Sequence, residues 1–405
     1  MSIGAATLAQ RGLVERWQAQ TASYGQSAPT IANGVLYVTA EDGKLYAYDA
    51  DASSGCTSGP PAVCQPLWTA DAGGYALIST PTVDGSVVYV SGPDGKLRAF
   101  DAGGITGCSG SPKTCTPLWT GMLGGGTNAT PLVMNGVVYL GGFDGVLYAF
   151  NAAGTGNCSG VPKICMPLWT ASVGDQVLEV AGNATTVFAH SSVSLWAFDA
   201  AGVTNCSGTP KTCLPLWHAS TGLGSWYPVV AHGVVYVTAS AGDLEAFDAA
   251  GVVNCSGTPK TCTPLWTASF GQFPGPPSVA NGVVYVASDE LRAFDAAGVV
   301  NCSGTPKTCT PLWTAAVGDD QSGQILVANG VAFVAEGGLY AFDTSGALHC
   351  GGTPKVCSPL WSSPDTPGFR RLGILNGQLY STVAAFQSAT NVFDFQLAPA
   401  TGTSS

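Results

Sequence analysis

The chain has 405 residues, of which 46% are hydrophobic, only 10% are charged and 54 are glycine, a balance that fits an ordered protein of strands and turns. Its 25 acids against 14 bases give a net charge of -11 with no basic run or stripe, so neither nucleic acid nor an anionic membrane is an expected partner. No apolar run reaches the roughly 18 to 20 residues that a membrane helix needs, so no membrane insertion is expected.

In chain order, MSIGAATLAQRG lacks the apolar middle of a secretion signal and reads as the start of a mature or excised segment behind an initiating methionine. LVERWQA then reads as a lone strand. From there the chain repeats one pattern: a first strand such as SAPTIAN, a tight turn, a second strand such as VLYVTA, another turn, a third strand such as LYAYDA, a cysteine-flanked hairpin, and a fourth strand opened by Pro-Leu-Trp. Asn33-Gly34, Asp84-Gly85, Asn135-Gly136, Asn281-Gly282, Asn329-Gly330 and Asn376-Gly377 supply the positive φ that two-residue hairpins demand. Residues 246–268 and 293–315 are identical over 23 positions.

Aligned on their tryptophans, Trp17, Trp68, Trp119, Trp169, Trp217, Trp266, Trp313 and Trp361 recur every 47 to 51 residues, which gives eight units. Four antiparallel strands at this period predict an all-β, eight-bladed β-propeller of four-stranded blades. After Trp361 only FRRLGIL, GQLYSTV and NVFDFQLA remain, so the last blade is expected to take its fourth strand from around residues 12–20 and close the ring. One domain over 1–399 follows, with a Ser/Thr-rich tail or linker start at 400–405.

Fourteen cysteines form seven local pairs: Cys56/Cys64, Cys108/Cys115, Cys158/Cys165, Cys206/Cys213, Cys255/Cys262, Cys302/Cys309 and Cys350/Cys357. All pairs but the first enclose six residues, whereas zinc sites favour two to four, so seven hairpin disulfides are predicted. Each is expected to flank the tip of an enlarged, exposed loop between third and fourth strands and to staple that loop to itself. An oxidised protein of this kind belongs at the cell surface or outside the cell, with the periplasm an alternative.

The run Ala-x-Asp, a glycine, then tryptophan resembles the pyrroloquinoline-quinone-like (PQQ-like) propeller repeat, at Ala47, Asp49 and Trp68, at Ala99, Asp101 and Trp119, and in later copies ending at Ala341, Asp343 and Trp361. The cysteine hairpin departs from that pattern by lengthening the Ala-to-Trp interval to 20 or 21 residues. The resemblance implies that each tryptophan packs between neighbouring blades, a structural role. It also implies two possible chemistries. Quinone-dependent dehydrogenases of this family use a calcium or lanthanide held by Glu, Asn and Asp, and many carry adjacent cysteines. Other members are non-catalytic, among them the lipoprotein of the outer-membrane barrel-assembly machinery. This sequence has no adjacent cysteines, no Cys-x-x-Cys-His and no long insertions, so no cofactor is expected. PQQ with calcium belongs only to the dehydrogenase alternative.

Positions that differ among repeats are free for function. The cysteine tips carry Lys113, Lys163, Lys211, Lys260, Lys307 and Lys355, read as solubilising charges. The loops on the opposite face carry Tyr75, Gln176, Glu179, Trp226, Tyr227, Phe273, Asp320, Arg370 and Arg371. Aromatics beside carboxylates and amides suit a glycan or protein ligand. No catalytic residue is assigned. Three functions stay open: a non-catalytic extracellular binding or scaffold propeller for a protein or glycan partner, a PQQ-dependent dehydrogenase domain, or a self-associating subunit of an extracellular assembly.

Overall fold

The computed structural model describes Ala5, Leu8 and residues 13–23, 26–59, 61–74, 79–222, 226–239, 242–270, 274–318, 324–336, 338–363, 369–375, 378–383 and 392–397. Eight antiparallel sheets follow one another around a ring. Blade 2 is representative, with strands Thr82–Asp84, Val87–Gly92, Lys96–Asp101 and Trp119–Met122 in sequential order. Alternation along VVYV and LRAF puts one side of each blade against its predecessor and the other against its successor, and nearly every such residue is buried. Blade 8 takes Phe369–Leu375, Gln378–Val383 and Val392–Leu397 from the C-terminal side and Leu13–Ala19 from the N-terminal side. The N-terminal strand therefore closes the ring, as the sequence predicts.

The repeat motif is a docking device. Asp199 ends the third strand of blade 4 and accepts hydrogen bonds from the amides of Ala201, Val203 and Thr204. Burial works to raise its pKa, but the bonds from Thr204, Val203 and Ala201 outweigh it and hold the carboxyl below the usual range. The turn so fixed carries Gly202 at φ +62°, where an added Cβ would stand 2.3 Å from the ring of Trp169 in blade 3. Only glycine lets the turn lie flat on that indole. In the same way the indole of Trp217 and the phenol of Tyr139 each donate to a carbonyl of the following blade, Ala249 and Ala200. Each tryptophan thus fills an interblade core, and such bonds tie the blades across it.

The disulfides lie where the sequence places them, and all seven form. Their hairpins do more than staple a loop to itself. Each leaves its own blade and pairs in parallel with the outermost strand of the preceding one: Thr212 beside Thr170, Thr261 beside His218 and Thr308 beside Thr267. Backbone bonds from Thr170 to Lys211 and from Thr267 to Lys307 complete the contact. Most blades consequently form six-stranded sheets, not four-stranded ones. The reason is the edge: a fourth strand left bare would present unpaired amides and carbonyls, and the hairpin satisfies them. We call this hairpin a clasp.

The cysteines flank exposed hairpin tips, as the sequence predicts, but their own surroundings differ. The two members of a pair are not equivalent. The first of each, such as Cys56 or Cys158, is half-buried, but the second is a core residue: Cys64, Cys115, Cys165, Cys213, Cys262, Cys309 and Cys357 are only 1–4% exposed. Parallel pairing draws the returning arm of the hairpin over the preceding blade, so its sulfur is pressed into the interblade core. Cys64 packs with Trp17 of blade 8, Cys165 with Trp119 of blade 2 and Cys309 with Trp266 of blade 5. The disulfide therefore ties an exposed arm to a buried one, and half of it contributes to packing as a small apolar group.

Among the described residues one blade has no clasp. Blade 7 has four strands, ending at Trp361–Ser363, because the clasp would have to come from between the third and fourth strands of blade 8. Those strands are the ones at the chain's two ends, finishing at Leu397 and beginning at Leu13. In the core of this seam stands Leu8, 1% exposed and packed with Trp361, Leu13 and Phe395.

Candidate ligand-binding face

The loops from fourth to first strand and from second to third emerge on one face, around the channel mouth. The eight innermost strands lining the channel are not alike. In blades 1, 2, 3 and 6 they have three residues, Thr30–Ala32, Thr82–Asp84, Leu132–Met134 and Ser278–Ala280, each directly preceded by a proline that cannot donate to the ladder. In blades 4, 5 and 8 they are longer, Val177–Gly182, Trp226–Ala231 and Phe369–Leu375, and each carries a bulge. A bulge re-aims the side chains beside it.

Glu179, Tyr227 and Arg371 sit at those three bulges. Glu179 is buried, and its carboxylate accepts from the Thr130 amide at 3.2 Å and the Thr130 hydroxyl at 3.4 Å. Burial pushes its carboxyl up to about 8, against the Thr130 bonds and the positive charge of Arg371. Burial also raises the Tyr227 phenol, and so does the Glu179 charge, while the charge of Arg371 and a hydrogen bond to it act to lower the value. An acid, a phenol and a guanidinium from three blades therefore act on one another across the channel.

The remaining sequence candidates fall elsewhere. Gln176 is exposed at the entrance to the same blade 4 strand, its amide bonded to Asp175 at 2.8 Å. Tyr75, Phe273 and Asp320 lie outside the described residues, and Trp226 and Arg370 are described in backbone only. Sequence reasoning misses Thr130 and Gln324 as site residues, yet Thr130 anchors Glu179 and the Gln324 side chain accepts from the Leu372 amide at 2.7 Å. The signal that points to this sector is the missing proline directly ahead of QVLEV and FRRLGIL.

The acidic turns around this face are engaged internally. Asp42 and Asp144 accept from Tyr46 and Tyr148 of their own third strands, while Asp94 pairs with Arg98. The lysines of the opposite face are also spoken for in part: Lys113, Lys211 and Lys260 donate to the carbonyls of Gly104, Gly202 and Gly251 at 3.0, 3.1 and 3.0 Å.

A quinone site of the kind implied by the resemblance needs a calcium held by several oxygen donors. Among the described residues no three of His, Cys, Asp and Glu converge as such a set. The channel carboxylate, Glu179, is opposed by Arg371.

An eight-bladed ring docked through Asp-turn glycines on interblade tryptophans defines a PQQ-like propeller repeat protein. Residues 14–103 and 108–298 match the family model described as outer membrane protein assembly factor BamB, and the chain belongs to that family. Among curated proteins no significant sequence relative is found. Solved structures share the fold. The computationally designed Ika8 protein superposes with a TM-score of 0.68 at 11% identity, covering 95% of this chain and 100% of its own. BamB from Moraxella catarrhalis gives 0.59 at 14%, covering 95% and 98%. Quinohemoprotein alcohol dehydrogenase from Comamonas testosteroni gives 0.64 at 14%, covering 99% of this chain but 79% of the enzyme. Seven disulfides and this family indicate a protein that matures outside the cytoplasm. Among the described residues no helix is long and apolar enough to cross a membrane.

Proposed function

We propose that this propeller is a non-catalytic binding module, at the cell surface or outside the cell, that receives a glycan or protein partner at the channel mouth. The observation that carries the reading is the meeting of Glu179, Tyr227 and Arg371 at bulges on three of the eight inner strands. A repeat supplies symmetry and a site needs asymmetry. These bulges are where the ring departs from its own repeat, and a guanidinium, a phenol and a buried acid offer directional bonds to sugar hydroxyls or peptide groups. Likeness to the assembly factor supports a protein partner.

The test is binding of the oxidised chain to a glycan array and to extracellular extracts of its source, alongside Y227F and R371A variants. Partners retained by the parent chain and lost by both variants support the reading. A parallel tryptophan-fluorescence titration with PQQ and calcium, coupled to dye reduction with alcohols and sugars, tests the dehydrogenase alternative. Saturable quenching with turnover would replace the binding reading by that one.

A further inference from the structure

The channel mouth has an order that its bulges obscure. Counted back from the last residue of each inner strand, the position four residues earlier is Tyr227 in blade 5, Gln324 in blade 7 and Arg371 in blade 8. In a ring of equivalent blades these positions stand at one level. None of the eight residues at that level is acidic. One residue further along, blades 1, 2, 3, 5 and 6 carry a proline, which has no amide proton to offer.

Blade 8 carries Leu372 at that next position, and its amide donates to the side-chain oxygen of Gln324 at 2.7 Å. An amide N–H can donate only to the oxygen end of a glutamine, so this bond fixes which way the Gln324 amide points. Its N–H2 end, with two donors, is turned away from Leu372. Arg371 directly precedes Leu372, so the same bond also steadies the backbone that aims the guanidinium, just past the bulge between Phe369 and Arg371. The guanidinium in turn hydrogen-bonds to Tyr227, whose own proton is left to donate.

The groups at this level are thus donors, with a single positive charge among them. They call for a ligand that is all acceptor and carries one negative charge, and a carboxylate also matches the fork of an arginine. A phosphomonoester brings nearly two negative charges at neutral pH and would find one cation. Glu179, the acid that could compete for the guanidinium, is buried and already held by the Thr130 amide and hydroxyl. Burial pushes its carboxyl up to about 8, which leaves the charge of Arg371 uncancelled at neutral pH.

Two further constraints bear on the source of the carboxylate. Arg371 and Tyr227 belong to blades 8 and 5, so their contact crosses the mouth, and a ligand meets it end on. The chain has a net charge of -11, which repels a polyanionic glycan at each of its repeats but opposes a polypeptide carboxylate only once. We propose that the channel mouth takes a carboxylate of a polypeptide partner, gripped by the Arg371 guanidinium and the Gln324 amide, with Tyr227 as a third donor. This rests on the binding-module reading above and names the chemistry of what is bound.

The test is affinity selection of acetylated random hexapeptides on the full oxidised chain, one library ending in a free carboxylate and a second in an amide, both read by mass spectrometry. Retention is expected for members that carry a carboxylate, whether at the chain end in the first library or on Asp or Glu side chains in the second. Amidated members without Asp or Glu should pass through. The best-retained peptide should bind R371Q at least about tenfold more weakly. Q324E should weaken it as much, because that variant keeps an oxygen for the Leu372 amide but replaces the two donors by a second acid. R371K, which keeps the charge without the fork, should fall between parent and R371Q. Matching circular dichroism and Tm check that the variants are folded. Binding that survives both R371Q and Q324E overturns the proposal. Peptides retained equally as acids and amides yet lost with R371Q, or retention of uronate glycans alone, also overturn it but leave the binding-module reading standing. No retention of any peptide or glycan overturns both.

Discussion

Leu8 belongs to the buried core on which Trp361 packs, whereas a clasp cysteine shares the core of each of the other seven docking tryptophans. Cys115 lies with Trp68, Cys213 with Trp169 and Cys357 with Trp313, each in the same relation. At the seam between blades 7 and 8, Ala5 and Leu8 of the N-terminal segment pack on the core in place of a covalently closed hairpin, and Trp361 is less deeply buried than its seven counterparts.

That exchange makes Leu8 the anchor of the weakest seam. Leu8→Ala should lower the unfolding free energy by about 2–3 kcal/mol, the usual cost of truncating a buried leucine. Hydrogen exchange should accelerate first at Trp361–Ser363 and Val392–Leu397. Unchanged stability and unchanged exchange in the variant would show that the seam is held by something other than Leu8.

The clasp geometry makes a sharper claim about where a lost disulfide is felt. Removing the Cys255–Cys262 bridge with C255S/C262S should cost roughly 2–3 kcal/mol by loop closure. Because that hairpin pairs with Trp217–Ser220 and Cys262 packs in the core of Trp217, the loss of exchange protection should appear in blade 4, not in blade 5, which supplies the hairpin. Peptide-resolved hydrogen exchange on the double serine variant distinguishes the two blades.

Blade number, cysteine pairing and ring closure are legible because each rests on a repeated local signal: a tryptophan, a spacing, an Asn-Gly turn. The clasps are not, because the partner strand is a blade away and Thr212 says nothing about lying beside Thr170. The burial of Cys309 is hidden for the same reason, since its neighbours in sequence, Thr308 and Thr310, are polar and its neighbours in space belong to another blade. His349 shows the limit from the other side. It lies next to a cysteine, and in the fold it has φ +57° and its ring nitrogen meets the Pro359 carbonyl at 3.1 Å, the place that Asn301 takes in blade 6 with its bond to Pro311. At the channel, Glu179, Tyr227 and Arg371 stand out as departures from the repeat. Their coming together depends on bulges and on opposite sides of a ring, which no local pattern encodes. Thr130, which holds Glu179, carries no signal of that role in the sequence.

The docking glycines give paired predictions of opposite sign. At Gly251, with φ +63°, an added Cβ would stand 2.1 Å from the Trp217 ring, so Gly251→Ala combines a left-handed alanine with a steric clash. It should cost about 2 kcal/mol or more. Blade 1 already has Ala52 at this place, at φ +54°, against the core of Trp17. Ala52→Gly relieves a left-handed alanine and should be neutral or stabilising by up to about 1 kcal/mol. Thermal or urea unfolding of the two variants decides it, and a destabilised Ala52→Gly would mean that the alanine methyl packs usefully on Trp17.

Stability should fall as pH rises. Burial pushes Glu179 to about 8, and likewise raises Glu245 to about 7, with Asp243 adding to the shift. Asp394 is raised to about 6 by burial, against the opposing charge of Arg16. A carboxyl whose folded pKa lies above its unfolded value holds its proton more tightly when folded, so its contribution is fully present below the unfolded pKa near 4.5 and is lost as pH rises through the folded one. For Glu179 the window runs from about 4.5 to about 8, and the loss across it is on the order of several kcal/mol. Glu179→Gln, which keeps the shape and removes the titration, should flatten that part of the profile and make the variant more stable than the parent at pH 9. Urea unfolding from pH 5 to pH 9 on both proteins measures it, and parallel profiles would show that Glu179 does not hold its proton in the folded channel. The same variant links the channel to its ligand: if Glu179 is protonated near neutral pH, Arg371 carries the net charge of the cluster, and an anionic partner should bind more tightly at pH 6 than at pH 9.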